Sequence, residues 1–328
     1  MRIEWSGQES TFGVEGALTP VLKRRFDEWE FSLEGEFYLN QPFDRNMLVD
    51  TPERRSYLAN FQPQTLEISQ LSVSCRRGDL LLKFGKMDTP FGRYYFPTFT
   101  NAHWDAPFIR SECILWRETG LLARYSPGML VVDAAITNGG EDRDANSSKA
   151  LLSRVGLQGE RWAVGASLKL QDGIGSESQK EFKNHVGMDA MVRLGPFTLS
   201  GEVLYDEYGF RQSVFNPDEI YWGRSIYYRD LNYLPGVPFS GVGYYVDLGY
   251  CRDRWIASLN YGEYYPQQEI GIPGHDETVR RGLARVAYDF GDGIQTYSAL
   301  ILENDGYIAQ DNRKRIGRSM LAGVQVVF

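Results

Sequence analysis

Lys83, Arg93, His103, Asp105, Arg110, Glu112, Arg117, Arg124 and Arg154 bring both signs of charge into one stretch of the chain, most of them within or beside segment 87–115. Rings of cationic side chains attract anions, and rings of carboxylates attract cations. Opposed across a water-filled gap, they make a transverse field that orders water. This is the chemistry of a pore constriction, and it makes and breaks no covalent bond. The same segment carries Tyr94, Tyr95, Phe96, Phe99, Trp104 and Phe108, an amount of apolar surface that a connecting loop has to bury. The lumen of a hollow barrel is the expected place, with packing over the mouth or onto a neighbouring subunit as the alternative. The cations have an alternative of their own. Lys83, Arg124, Arg154, Lys169, Arg193, Arg281 and Arg285 alternate onto an inward face and can pair there with Glu118, Asp133, Asp189, Glu202 or Asp247.

Other chemistries find less support. His185, expected to begin a strand near the outer rim with Asp189 further in, is the best candidate for a catalytic pair. The chain has no Gly-x-Ser-x-Gly elbow and no glycine-rich phosphate cradle. His103, His185 and His275 are far apart, and Cys75, Cys113 and Cys251 are an odd, scattered set. Neither group has the spacing of a metal site or a disulfide framework. Asp142 to Asn146 imitates the start of a calcium loop, but Ser147 and Ser153 stand where that loop needs Gly and Glu. An ordinary solvated loop is expected there, and no cofactor or metal anywhere. A net charge of -8 offers no basic face to nucleic acid.

The elements that must position these residues are strands. From Glu28 to Leu39 the odd positions are Trp, Phe, Leu, Gly, Phe and Leu, and the even positions carry Glu28, Glu30, Glu34 and Glu36. A helix would scatter those carboxylates, whereas a strand puts them on one wall. The period-two pattern predicts strands at 2–6, 11–18, 27–39, 64–74, 79–86, 116–125, 129–137, 150–157, 161–169, 184–193, 197–205, 242–250, 254–263, 280–289, 294–302 and 319–328. Short turns rich in Gly, Pro and Asp alternate with long connections at 40–63, 87–115, 138–149, 170–183, 206–241, 264–279 and 303–318.

That sorting predicts an all-β fold: one transmembrane antiparallel barrel of about sixteen strands over 1–328, with short periplasmic turns and long extracellular loops. No run of apolar residues is long enough for a transmembrane helix, and a barrel does not need one. Met320, Ala322, Val324, Val326 and Phe328 share one face of the final strand, as in the closing strand of an outer-membrane barrel. The chain opens in strand-like alternation at Arg2-Ile3-Glu4-Trp5, without an export leader, so the expectation is a removed leader or a truncated start.

The middle of the chain resembles the phosphate-selective porin O/P family. The residues that carry the resemblance are Lys83-Phe84-Gly85-Lys86-Met87-Asp88-Thr89-Pro90-Phe91-Gly92 and Arg117-Glu118-Thr119-Gly120-Leu121. They continue with Ala135-Ile136-Thr137-Asn138-Gly139, leading to Asn146 and Lys149, and with Arg154-Val155-Gly156. The likeness covers about 26–205, and the C-terminal third matches only as a generic barrel. It implies an outer-membrane porin, narrowed by the loop at 87–115, that passes small hydrophilic solutes or ions with at most a weak, phosphate-like anion preference. Lipid of the outer membrane and a homotrimer are the partners it implies. The rival readings are an outer-membrane barrel enzyme of lipase or protease type and a soluble carbohydrate-binding β-protein.

Overall fold

The computed structural model describes residues 2–6, 9–13, 15–40, 66–93, 117–138, 149–174, 181–210, 239–266, 279–308 and 314–326. Among the described residues all regular structure is strand. The strands are β1 (Arg2–Ser6), β2 (Glu9–Gly13), β3 (Glu15–Leu18), β4 (Val21–Phe26), β5 (Trp29–Asn40), β6 (Leu66–Arg77), β7 (Leu80–Asp88), β8 (Arg117–Tyr125) and β9 (Leu130–Thr137). They continue with β10 (Ala150–Gln158), β11 (Trp162–Ile174), β12 (Glu181–Leu194), β13 (Phe197–Phe210), β14 (Phe239–Arg252), β15 (Trp255–Pro266), β16 (Val279–Gly291), β17 (Ile294–Ile308) and β18 (Lys314–Val326).

From β4 onward each strand pairs antiparallel with the next, and β1 pairs with both β18 and β2. The short first strand therefore closes the sheet on itself. The strands β2, β3 and β4 are parts of one run. A single residue separates β2 from β3, too few for a reversal. Across Thr19 and Pro20 the register onto β5 is unbroken, Leu18 opposite Phe37 and Val21 opposite Glu34. Pro20 has no N–H to give, but its carbonyl still accepts from the Gly35 N–H at 3.0 Å. Counted as one strand, this run brings the strands among the described residues to the expected sixteen.

Two sets of expected boundaries need correction. Residues 21–26, outside the expected strands, form β4, and the turn shrinks to Asp27 and Glu28. The run Lys23-Arg24-Arg25 hides the alternation, because Arg24 shares the outward face with Leu22 and Phe26. Away from the short turns the strands run longer than expected. Strand β12 starts at Glu181, not at His185, β13 continues to Phe210, and the connection expected at 303–318 contracts to 309–313. Paired backbone satisfies its own hydrogen bonds whatever the side chains are, so hydrophobicity does not mark where a hairpin ends.

The short turns are tight. Gly78 (φ 54°) and Gly195 (φ 59°) hold a left-handed backbone that suits glycine, and Asp27, Asp253 and Asp292 hold it without being glycine. Near this end aromatic rings pack in pairs: Phe197 with Tyr250 (5.1 Å), Trp255 with Tyr288 (4.9 Å) and Tyr288 with Phe290 (4.9 Å). Arg77 lies over Trp29. Such a belt marks the border of the apolar band on a membrane barrel.

Burial is inverted relative to a water-soluble protein. Phe84 and Met188, each 64% exposed, and Leu121, Leu151, Val186 and Leu259 all face out. Glu118, Asp133 and Lys169, each 0% exposed, face in, with Arg154, Asp189, Glu202 and Arg281 nearly as deep. Charged groups are rarely buried unless paired, and an apolar exterior of this extent has to meet another apolar phase. The fold is a transmembrane β-barrel.

Candidate functional site

The inner wall is built by alternation. On β7 the residues Leu81, Lys83, Gly85 and Met87 turn inward, and on β8 Glu118, Gly120, Leu122 and Arg124 do so. Neighbouring strands present a row of alternating charge. Arg124 donates to both oxygens of Asp133 (Nε–Oδ1 2.6 Å, Nη2–Oδ2 2.9 Å). Asp133 is directly opposite Arg154 on β10. Arg154 in turn donates across β11 to Asp189 on β12 (Nη2–Oδ1 2.7 Å, Nε–Oδ2 3.1 Å). It can cross because the intervening inward residue is Gly165, where a Cβ would fall 2.4 Å from Nη2. Lys83 pairs with Glu34 at 2.7 Å. A bidentate guanidinium–carboxylate pair is the geometry in which a buried ion pair offsets most of its desolvation.

A second arrangement is more fully buried. Lys169 on β11 pairs with Glu118 on β8, and Thr137 on β9 donates to the other Glu118 oxygen. Beside it Met87, Leu122, Ala135, Ala150 and Leu152 form an apolar patch on the inner wall. Gly85 and Gly120 are opposite each other where β7 and β8 press on their neighbours. A Cβ would fall 2.2 Å from the Leu71 carbonyl oxygen at Gly85 and 2.1 Å from the Ile136 carbonyl oxygen at Gly120. Only glycine allows that approach.

After Asp88 the chain turns into the barrel. Thr89, Pro90, Phe91 and Gly92 are buried. The Gly92 N–H donates to Ser167 Oγ at 2.9 Å, on the inner face of β11. Phe91 meets His185 edge-on with ring centroids 6.2 Å apart. It also covers Gly187, where a Cβ would fall 2.9 Å from the ring. A few residues thus carry the chain from β7, past β8, β9 and β10, to the facing wall of β11 and β12.

The predicted site residues divide into three sets. Lys83, Arg124 and Arg154 are on the inner wall, each held by a carboxylate. Arg93 follows the inward-turning segment and is half-buried. Arg117 is the first residue of β8. His103, Asp105, Arg110 and Glu112 lie outside the described residues, as do the calcium-loop imitation at 142–147 and Phe328. The acidic wall expected along β5 is not a row of free charge: Glu34 is bound by Lys83, and Glu28 sits in a turn, paired with Arg77. His185 and Asp189 form no catalytic pair, since Asp189 is taken by Arg154 and His185 faces Phe91. Among the described residues no cluster of His, Cys, Asp and Glu could hold a metal. Sequence reasoning missed Ser167 and Gly187. Gly187 left one signal, a small residue on the inward face between His185 and Asp189.

No family model matches the chain, and no curated protein matches it. Solved structures do. The anion-selective porin from Comamonas acidovorans superposes with a TM-score of 0.68 at 8% identity, covering 100% of this chain and 96% of that one. OmpF of Salmonella typhi, solved in complex with daunomycin, gives 0.68 at 11%, covering 100% and 95%. OmpT of Vibrio cholerae in its trimer form gives 0.66 at 12%, covering 100% and 96%. The chain shares the porin fold.

Proposed function

We propose that this protein is an outer-membrane porin, a water-filled channel through which small hydrophilic solutes or ions diffuse passively. The observation that carries the reading is the inward turn of 89–92, which puts connecting chain inside a closed barrel whose wall is charged. A barrel of sixteen strands leaves an aqueous lumen that side chains alone do not fill. On this reading the loop 87–115 narrows the pore. Lys83, Arg93, His103, Asp105, Arg110, Glu112, Arg117, Arg124 and Arg154 line the constriction. No covalent step is involved, and the whole chain 1–328 acts as one barrel domain that assembles as a homotrimer.

The resemblance to the phosphate-selective porin O/P family favours anions, and so does the fold shared with the anion-selective porin of Comamonas acidovorans. The pairing of Lys83, Arg124 and Arg154 limits the effect, because a cation already matched by a carboxylate adds little net field beyond a Debye length of about 8–10 Å. The preference proposed is therefore weak. Purified protein in a planar bilayer tests the proposal. Stepwise, ohmic current increments are expected, with a reversal potential in a KCl gradient displaced slightly towards anions. A folded barrel that gives no steps overturns the channel reading, and a clear cation preference overturns the selectivity.

A further inference from the structure

We infer that Arg285 is a seat for monovalent carboxylate solutes on the channel wall. The inference rests on the channel reading and names the solute class for it. Arg285 is on β16 between Leu283 and Ala287, all three on the inward face. Its guanidinium carbon is 5.1 Å from the centre of the Tyr297 ring on β17. Tyr297 in turn lies across Gly323 on β18, where a Cβ would fall 2.7 Å from the ring. Three neighbouring strands thus build a stack of backbone, ring and guanidinium.

This stack differs in its charge from four other cations of the wall. Lys83, Arg124, Arg154 and Lys169 each hold a carboxylate. Arg285 has no acid partner among the described residues, and its buried Nε has no hydrogen-bond partner there. A guanidinium is planar, always charged and shaped to hold two oxygens of one carboxylate. Resting on a ring, it is held in place before any solute arrives, and the ring's edge offers a planar solute a surface to lie beside. Two strands away Asp247 also faces inward, sharing a weak hydrogen bond with Asn260 at 3.5 Å. Its carboxylate repels a second negative charge, so the seat favours a monoanion over a phosphate dianion.

The test compares wild-type protein with Arg285→Gln, Arg285→Lys and Tyr297→Leu in planar bilayers. Reversal potentials in a KCl gradient are read first, followed by the current reduction caused by benzoate, acetate or inorganic phosphate. Benzoate is expected to reduce wild-type current more than acetate, and phosphate least. Arg285→Gln should move the reversal potential towards cations and abolish the benzoate effect. Arg285→Lys should keep the reversal potential while weakening the benzoate effect, and Tyr297→Leu should erase only the benzoate-over-acetate difference. Arg285→Gln channels that keep both wild-type readouts overturn the seat, and phosphate acting as strongly as benzoate overturns the solute class. If Arg285→Gln does not insert, the Lys and Leu variants decide: unchanged benzoate sensitivity in both overturns the proposal. An absence of current in wild-type protein sinks the channel reading instead, which keeps the two failures apart.

Discussion

The Gly92 N–H donates to Ser167 Oγ at 2.9 Å, tying the chain that leaves β7 to the inner face of β11. Beside this bond Phe91 rests on Gly187, and the two contacts together hold the segment across the lumen. If this anchor sets the position of the constriction, Gly187→Leu displaces the Phe91 ring and single-channel conductance rises. Ser167→Ala removes one hydrogen bond, worth about 1 kcal/mol, and should raise conductance less or increase gating noise. Equal conductance in wild type and a folded Gly187→Leu barrel would show that the segment does not limit flow. Deleting 94–108 should have the larger effect in the same direction.

The ion pairs of the wall differ in worth because they differ in burial. Arg154→Ala leaves Asp189 buried without its partner and should cost about 3–5 kcal/mol in urea unfolding from lipid vesicles. Arg77→Ala, whose side chain is 56% exposed, should cost no more than about 1 kcal/mol. Similar losses at the two positions would mean that the Arg154 pair is reached by water.

Val246 is on the outward face of β14, beside Leu248. Val246→Arg should destabilise the folded barrel by about 2–4 kcal/mol if it stands near the bilayer midplane. Unchanged stability in lipid counts against a lipid-facing position there.

Gly120→Ala should block barrel formation, since the added Cβ meets backbone rather than a movable side chain. Gly78→Ala in the turn faces open space and carries only the strain of its positive φ, so it should fold. The check is the folded fraction after dilution from urea into vesicles, read by the mobility of unheated samples on gels.

Much of the architecture was legible in the chain itself. Trp29, Phe31 and Leu33 against Glu30, Ser32 and Glu34 already divide one wall into lipid and lumen, because successive residues of a strand point to opposite faces whatever surrounds them. The turn at Gly195 and Pro196 was equally plain. Strand β4 was not, because a basic run masks its alternation, and the outer ends of β12, β13 and β17 were not, because polar hairpins pair without a hydrophobic signature. Alternation also placed Lys83, Arg124 and Arg154 on the inner face. It could not say that Arg154 would reach past Gly165 to Asp189, 35 positions along the chain, or that Arg285 would rest on Tyr297. Those partners depend on register across several strands and on where a glycine opens a path. The inward turn at Phe91 depends in addition on Gly187 leaving room on a wall five strands away. A period of two is a property of the backbone and can be read locally, whereas the choice of partner is set by closure of the whole barrel, which exists only when the sheet is complete.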